Sequence, residues 1–206
     1  YNGVGEVFTP LSAAERATAR QRFTGGAPYI VCVGSLHPRK NVARLLEAFD
    51  RVAEHDPQVK LLIVGARMFK DAQMERVLGA MRHRDRAVFA GRLAHADLRL
   101  ALGGAQLLAY VSYFEGFGIP VAEAMRCGVP VVAANATSLP EVAGDAAVYC
   151  DPFNVDDIAR ALRTLLADEP LRQRCITAGL ERAERYDWER TAATVWSTLE
   201  RVMPRR

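Results

Sequence analysis

Short apolar runs recur along the chain at regular intervals: YIVCVG (29–34), KLLIVG (60–65), AVFAG (87–91), QLLAYVS (106–112), PVVAAN (130–135) and AAVYC (146–150). Continuous β-branched runs of this length suit strands that are buried on both faces. Between them, apolar positions recur at helical spacing, which predicts helices over 41–55, 71–83, 95–103, 119–127 and 155–167. Parallel strands need crossover connections, and helical crossovers cover both faces of a sheet, so the alternation argues an α/β fold with a doubly wound parallel sheet. Residues 1–27 read as a lead-in, turn-rich in NGVGEVFTP and then helical over 12–23, with Ser12 as N-cap and Glu15 completing a capping box. Beyond the core, 170–185 and 188–203 predict a helical C-terminal extension, with Asp187 capping its last helix. The pattern divides into a lead-in (1–27), an α/β core (28–168) and a helical tail (169–206), all within one domain.

Composition narrows the function. Half of the 206 residues are apolar and 25% are charged, the balance of an ordinary globular chain. A net charge of +3 is too weak a bias to argue for nucleic acid or an anionic membrane surface, so any anion binding must come from local clusters. Cys32, Cys127, Cys150 and Cys175 are scattered and form no CxxC pair, which signals neither zinc nor a redox couple; they read as small buried hydrophobes suited to a reducing cytosol. No stretch approaches the roughly 20 apolar residues that span a bilayer, and no signal peptide opens the chain. The start at Tyr1 rather than Met implies a processed protein or, more readily, a fragment of something longer.

Ligands of open parallel sheets bind outside the carboxyl ends of the strands. Two loops there carry chemistry. In GSLHPRKN (34–41), Arg39 and Lys40 stand just before a helix, where a guanidinium fork, an ammonium and free backbone amides can share one phosphate or diphosphate. A solvated basic turn is the alternative, and His37 beside it reads as a surface histidine or an extra donor. In FEGFGIPVAEAM (114–125), Gly116 and Gly118 let backbone approach a ligand closely, and Pro120 suits the first helical position. Glu115 and Glu123 bracket that turn; ionised carboxylates repel phosphate but accept bidentate hydrogen bonds from vicinal hydroxyls of a sugar or ribose. A surface Glu115 and a dipole-favoured Glu123 are the alternatives.

EGFGIPVAE is similar to the E-x7-E signature of the retaining glycosyltransferases of family 4. GSLHPRKN, VFAGRL, AMRCGVPVVAAN, LPEVAGDAAVYCDP and YDWERTA resemble their accompanying blocks in the same order, over nearly the whole chain. The resemblance implies the GT-B architecture of two Rossmann-like domains facing a cleft. This chain corresponds to the C-terminal, donor-binding one, and the N-terminal acceptor domain is absent. Carried over, it assigns Arg39 and Lys40 to the donor diphosphate, Glu115 to the transferred sugar and Glu123 to the ribose. The amides of Gly116, Phe117 and Gly118 support sugar and phosphate, Gly34 and Ser35 open the diphosphate loop, and Arg92 and Leu93 border the base. Many members carry Arg where this chain has Ser35, which leaves the division of labour between the two cations open.

The implied reaction transfers a sugar from a nucleotide sugar, GDP-mannose or a UDP-sugar, to an acceptor hydroxyl with retention. Arg39, Lys40 and Glu115 would act directly, without cofactor or metal, and no D-x-D triplet occurs in the chain. Same-face displacement and a covalent intermediate on Glu115 are both compatible. The blocks look most like bacterial mannosyltransferases of cell-surface polysaccharide synthesis, which implies a cytoplasmic enzyme with peripheral contact at the inner face of the membrane. A receiver module is disfavoured because basic residues follow Gly34-Ser35 where it needs acids, and GFGIPV lacks the downstream acid of a dinucleotide fingerprint. A non-catalytic nucleotide-sugar-binding or scaffolding domain and a GT-B epimerase are the nearer rivals. The last helix is expected to pack across the domain junction of the longer enzyme and to leave apolar surface exposed without it.

Overall fold

The computed structural model describes residues 1–67 and 71–203. Among them a six-stranded, all-parallel sheet runs in the order β3-β2-β1-β4-β5-β6, with β1 (Tyr29–Val33), β2 (Lys60–Val64), β3 (Ala87–Gly91), β4 (Leu107–Tyr110), β5 (Val131–Ala134) and β6 (Ala147–Cys150). The doubly wound α/β reading is what the chain folds into. The direction of winding reverses between β1 and β4, paired through Ile30 with Leu107 and Val31 with Leu108, so a crevice opens above those two strands.

Alternation along each strand sends successive side chains to opposite faces. Tyr29, Val31 and Val33 of β1 join Leu108 and Tyr110 of β4 in one apolar layer, while Ile30 and Cys32 join Leu107 and Ala109 in the other. The first layer is covered by α4 (His95–Gly103), α5 (Ile119–Arg126) and the short α6 (Leu139–Ala143); the second by α2 (Val42–Ala53), α3 (Ala72–Ala80) and α7 (Val155–Ala167). α1 (Ala13–Thr24) lies beside α4, and α8 (Glu169–Ala183) packs on α5. All four cysteines are buried and unpaired, as small apolar fillers of the interior.

Local signals at helix ends hold well. Ser12 Oγ accepts from the Glu15 amide at 3.2 Å while Glu15 Oε2 accepts from the Ser12 amide at 2.8 Å. Asp187 accepts from the Arg190 amide at 2.9 Å and opens α9 (Trp188–Val202). Several predicted helix ends shift, and one helix escapes the pattern. The helix expected over 71–83 stops at Ala80 because Asp50 draws the Arg82 and His83 amides away, at 3.2 and 2.8 Å. The tail helix starts at Glu169, capped by Asp168. The five-residue α6 is too short for periodicity to reveal.

The lead-in is part of the core rather than an appendage. Val4 and Phe8 are buried in the first layer, the Val4 amide donates to Tyr186 O at 2.9 Å, and Arg126 reaches Val4 O at 3.1 Å. By contrast α9 buries none of its residues, and Val195, Trp196, Leu199 and Val202 face outward from it. The last three residues of the predicted tail lie outside the described residues. No helix among the described residues is long and apolar enough to cross a membrane.

Candidate functional site

The loop after β1 leaves the sheet at Gly34, whose φ of +144° belongs to glycine, and turns through a single 3-10 turn, Pro38–Lys40. Lys40 is thereby drawn back under the loop: a Cβ on Gly34 would stand 2.9 Å from Lys40 Cε. Asn41 follows in the left-handed region at φ +61°. It stands at the N-cap of α2 without capping it: its Oδ1 accepts from Arg44 at 3.0 Å, and its Nδ2 donates to Val111 O at 3.0 Å and Pro152 O at 2.6 Å. This side chain ties the loops after β1, β4 and β6 together above the sheet.

The glycine turn after β4 meets that loop. Lys40 Nζ donates to Glu115 Oε1 at 2.6 Å and to the Tyr110 hydroxyl at 2.7 Å, with the Tyr110 ring centroid 4.8 Å away. Arg39 reaches the other carboxylate oxygen, Glu115 Oε2, at 2.8 Å and Phe114 O at 3.0 Å. Glu115 is only 7% exposed at its side chain and Lys40 10%, whereas Arg39 is 36% exposed. Burial works to raise the Glu115 pKa, but hydrogen bonds from Lys40, Arg39 and Ser112 outweigh it and hold the carboxyl below its ordinary value. Burial, reinforced by the Glu115 charge, pushes the Tyr110 hydroxyl far above the usual phenol range, so it meets Lys40 as a neutral acceptor.

The loop after β5 braces the turn from the far side. Thr137 Oγ1 accepts from the Glu115 amide at 3.1 Å, and Ser138 Oγ donates to Glu115 O and Phe117 O at 3.1 and 2.9 Å. Gly118, at φ +105°, starts α5, and a Cβ there would fall 2.7 Å from Leu139. Pro120 takes the second helical position rather than the first. Gly116 differs from Gly118: its φ is not positive, and an added Cβ would meet nothing within 4 Å. Its lack of a side chain answers no need of the protein's own packing.

Glu123 lies in α5 but does not join the ionic group. It is 8% exposed, its carboxylate has no hydrogen bond or ion pair among the described residues, and burial raises its pKa to about 7. Among those residues no fully covered side-chain oxygen lacks a partner, so the Glu123 oxygens keep an opening to solvent. Beside Gly34 and Ser35, Arg92 and Leu93 line a cleft of about 310 Å³ above β1 to β3, with Gly65 in its floor. Gly65, at φ +154°, is unavoidable there: a Cβ would sit 1.8 Å from Gly34 O. His37 Nδ1 accepts from the Arg39 amide at 3.2 Å and shapes the turn.

The structure thus brings Gly34, Arg39, Lys40, Glu115 and the 116–118 turn together, sets Arg92 and Leu93 in the adjoining cleft, and leaves Glu123 apart in its helix. Tyr110, Asn41, Thr137, Ser138 and Gly65 escaped sequence reasoning. Only Tyr110 carried a signal, since a tyrosine ending a buried strand needs a partner for its hydroxyl. Chemically, two cations balanced by one carboxylate leave one positive charge, and the N-terminus of α5 adds to it. Such an arrangement can accept a multiply charged oxyanion. Among the described residues no cluster of three or more His, Cys, Asp or Glu side chains could hold a metal.

The family described as glycosyl transferases group 1 matches residues 14–182. The O-antigen chain mannosyltransferase B of Escherichia coli is 34% identical over 184 residues, covering 88% of this chain and 48% of that protein. The GDP-mannose-dependent monoacylated alpha-(1-6)-phosphatidylinositol monomannoside mannosyltransferase of Corynebacterium glutamicum is 31% identical over 194 residues, 88% of this chain and 50% of that one. Among solved structures, the sucrose-phosphate synthase of Thermosynechococcus elongatus superposes with a TM-score of 0.83 at 26% identity, over 98% of this chain and 51% of that one. The chain spans about half the length of these two mannosyltransferases and about a quarter of some other relatives.

Proposed function

The chain belongs to the group 1 glycosyl transferases, and from that premise we propose that it is the donor-binding half of a retaining, metal-independent glycosyltransferase that takes a nucleoside-diphosphate sugar, GDP-mannose foremost. The observation that carries the reading is the pairing of Arg39 and Lys40 at the β1–β4 reversal with the open Gly116 turn facing them. As a glycosidic bond to a diphosphate breaks, negative charge builds on the leaving phosphate. Arg39, Lys40 and the α5 N-terminus are fixed where that charge develops, so they favour the transition state over the ground state. The amide of Gly116, unobstructed by a side chain, approaches the same phosphates. Glu115 and Glu123 are the hydroxyl acceptors for sugar and ribose, and the Arg92–Leu93 cleft is the seat of the base. Mannose is favoured because relatives are named as mannosyltransferases, one of them dependent on GDP-mannose.

The acceptor would come from a second domain facing the crevice, and the outward apolar face of α9 is the surface such a domain would cover. Transfer to a cell-surface polysaccharide from the cytoplasmic side, with peripheral membrane contact, completes the proposal. Isothermal titration of this chain with GDP, GDP-mannose, UDP and UDP-glucose tests it. Micromolar to millimolar binding that Lys40→Ala weakens at least tenfold, and that excess EDTA leaves unchanged, supports it. Equal affinity in wild type and Lys40→Ala overturns the diphosphate seat.

A further inference from the structure

Two consecutive residues of the loop after β5 depart from what their own backbone favours. Thr137 has φ +49°, a left-handed conformation that presses Cβ toward the following carbonyl oxygen and is an outlier for a β-branched residue. Asn41 is the other non-glycine residue with positive φ among those described, and asparagine tolerates that region where threonine does not. Thr137 is exposed, so close packing does not force it there. Ser138 stands at the N-cap of α6, where a serine ordinarily accepts from the first free amides of the helix, and makes no such bond.

Both departures lead to the glycine turn after β4. The Thr137 hydroxyl accepts from the Glu115 amide at 3.1 Å, and the Ser138 hydroxyl shares its one proton between Glu115 O and Phe117 O, at 3.1 and 2.9 Å. Between these anchors the amides of Gly116, Phe117 and Gly118 make no hydrogen bond among the described residues. A turn with two glycines and unspent amides would otherwise sample many conformations.

We infer that Thr137 and Ser138 are positioning residues for the donor seat: they fix the backbone of the glycine turn, so that its free amides are aimed before a ligand arrives. The inference rests on the reading of the site given above. Donors already in place bind an anion without the ordering cost that a loose turn would add. Neither hydroxyl is assigned a contact with the donor; each acts through the turn. Local stability is given up at two neighbouring positions for one purpose, which is where strain is expected to collect. Glycine at 137 removes the hydroxyl and relieves the backbone together, so stability and affinity should move in opposite directions. A purely structural threonine would lose both.

The test sets Thr137→Gly, Thr137→Ser and Ser138→Ala beside wild type and Lys40→Ala. Urea denaturation reads stability, isothermal titration reads GDP binding, and NMR reads hydrogen exchange of the Glu115 amide. Thr137→Gly is expected to unfold at or above the wild-type urea midpoint, yet to bind GDP about tenfold more weakly and exchange the Glu115 amide about tenfold faster. Thr137→Ser keeps the hydroxyl without the branch and should retain wild-type affinity and exchange. Ser138→Ala should weaken GDP binding with little change in midpoint, because the lost hydroxyl caps nothing. A Thr137→Gly variant that is less stable than wild type, or that keeps the wild-type exchange rate, overturns the inference. If Lys40→Ala weakens GDP binding while Thr137→Gly does not, the positioning role is wrong and the seat stands. If wild type binds no nucleotide, the seat reading falls and the positioning role with it.

Discussion

Lys40 Nζ and Glu115 Oε1 lie 2.6 Å apart although 75 residues separate them, and both side chains are nearly closed off from solvent. The pair joins the loop after β1 to the loop after β4, the two strands between which the winding reverses, so it reports on the fold and on the proposed ligand seat at once. Lys40→Ala should therefore lower stability by about 2–3 kcal/mol, softened because Arg39 still neutralises the carboxylate. Urea denaturation measures that loss independently of the calorimetric effect on nucleotide affinity.

Two glycines divide structural need from functional need. Gly65→Ala places a Cβ against Gly34 O in a dihedral region hostile to side chains, and is expected to cost about 3 kcal/mol or more. Gly116→Ala meets nothing, so its unfolding free energy in urea should stay within about 0.5 kcal/mol of wild type. Its affinity for a nucleoside diphosphate should nonetheless fall at least tenfold, because in the proposed site the added methyl stands where the donor phosphate approaches. A Gly116→Ala variant that melts early, or binds as wild type does, contradicts this division.

Glu123 makes stability depend on pH. Burial raises its pKa from 4.5 to about 7, so the folded chain holds this proton more tightly than the unfolded chain does. The stabilisation it brings is complete below pH 4.5, is lost as pH rises toward 7, and is absent above. The span corresponds to about 3 kcal/mol at 1.36 kcal/mol per pKa unit. Wild type should lose that amount relative to Glu123→Gln between about pH 4.5 and 8, read as the difference between their urea midpoints across the range.

Tyr110→Phe removes one of the two hydrogen-bond partners of Lys40 while keeping the ring beneath it. A cost of about 1–2 kcal/mol in thermal unfolding is expected, with Glu115 still paired.

α9 exposes Trp196 and Val202, 64% and 72% accessible, along one apolar face. Wild type is expected to self-associate with rising concentration through this face in analytical ultracentrifugation, and Trp196→Lys to remain monomeric with stability within about 0.5 kcal/mol, because the indole covers no core residue.

Most of the architecture could be read from periodicity. Strands buried on both faces cannot alternate with polar residues, and runs such as KLLIVG and PVVAAN announce that in the letters. The capping residues Ser12 and Asp187 were equally legible, because a cap is a local bond between residues three apart. Arg39, Lys40 and Glu115 could be placed at strand ends, but their mutual contact could not, since it depends on β1 lying next to β4. Glu123 looked like an acid at a helix start; how completely neighbouring layers cover it is a tertiary fact. Thr137 and Ser138 were invisible for the same reason, bonding to a turn more than twenty residues away. Gly116 could be named from the sequence, but the feature that distinguishes it from Gly118, an ordinary φ with empty space where a Cβ would stand, is visible only in the fold.

Asn41, with one amide nitrogen shared between Val111 O and Pro152 O, has a practical corollary for anyone wishing to move this anion seat onto another parallel sheet. The portable unit is not the eight-residue stretch that carries the cations. It is three segments from distant parts of the chain, and a graft that brings the first without the other two would deliver charge with no fixed address.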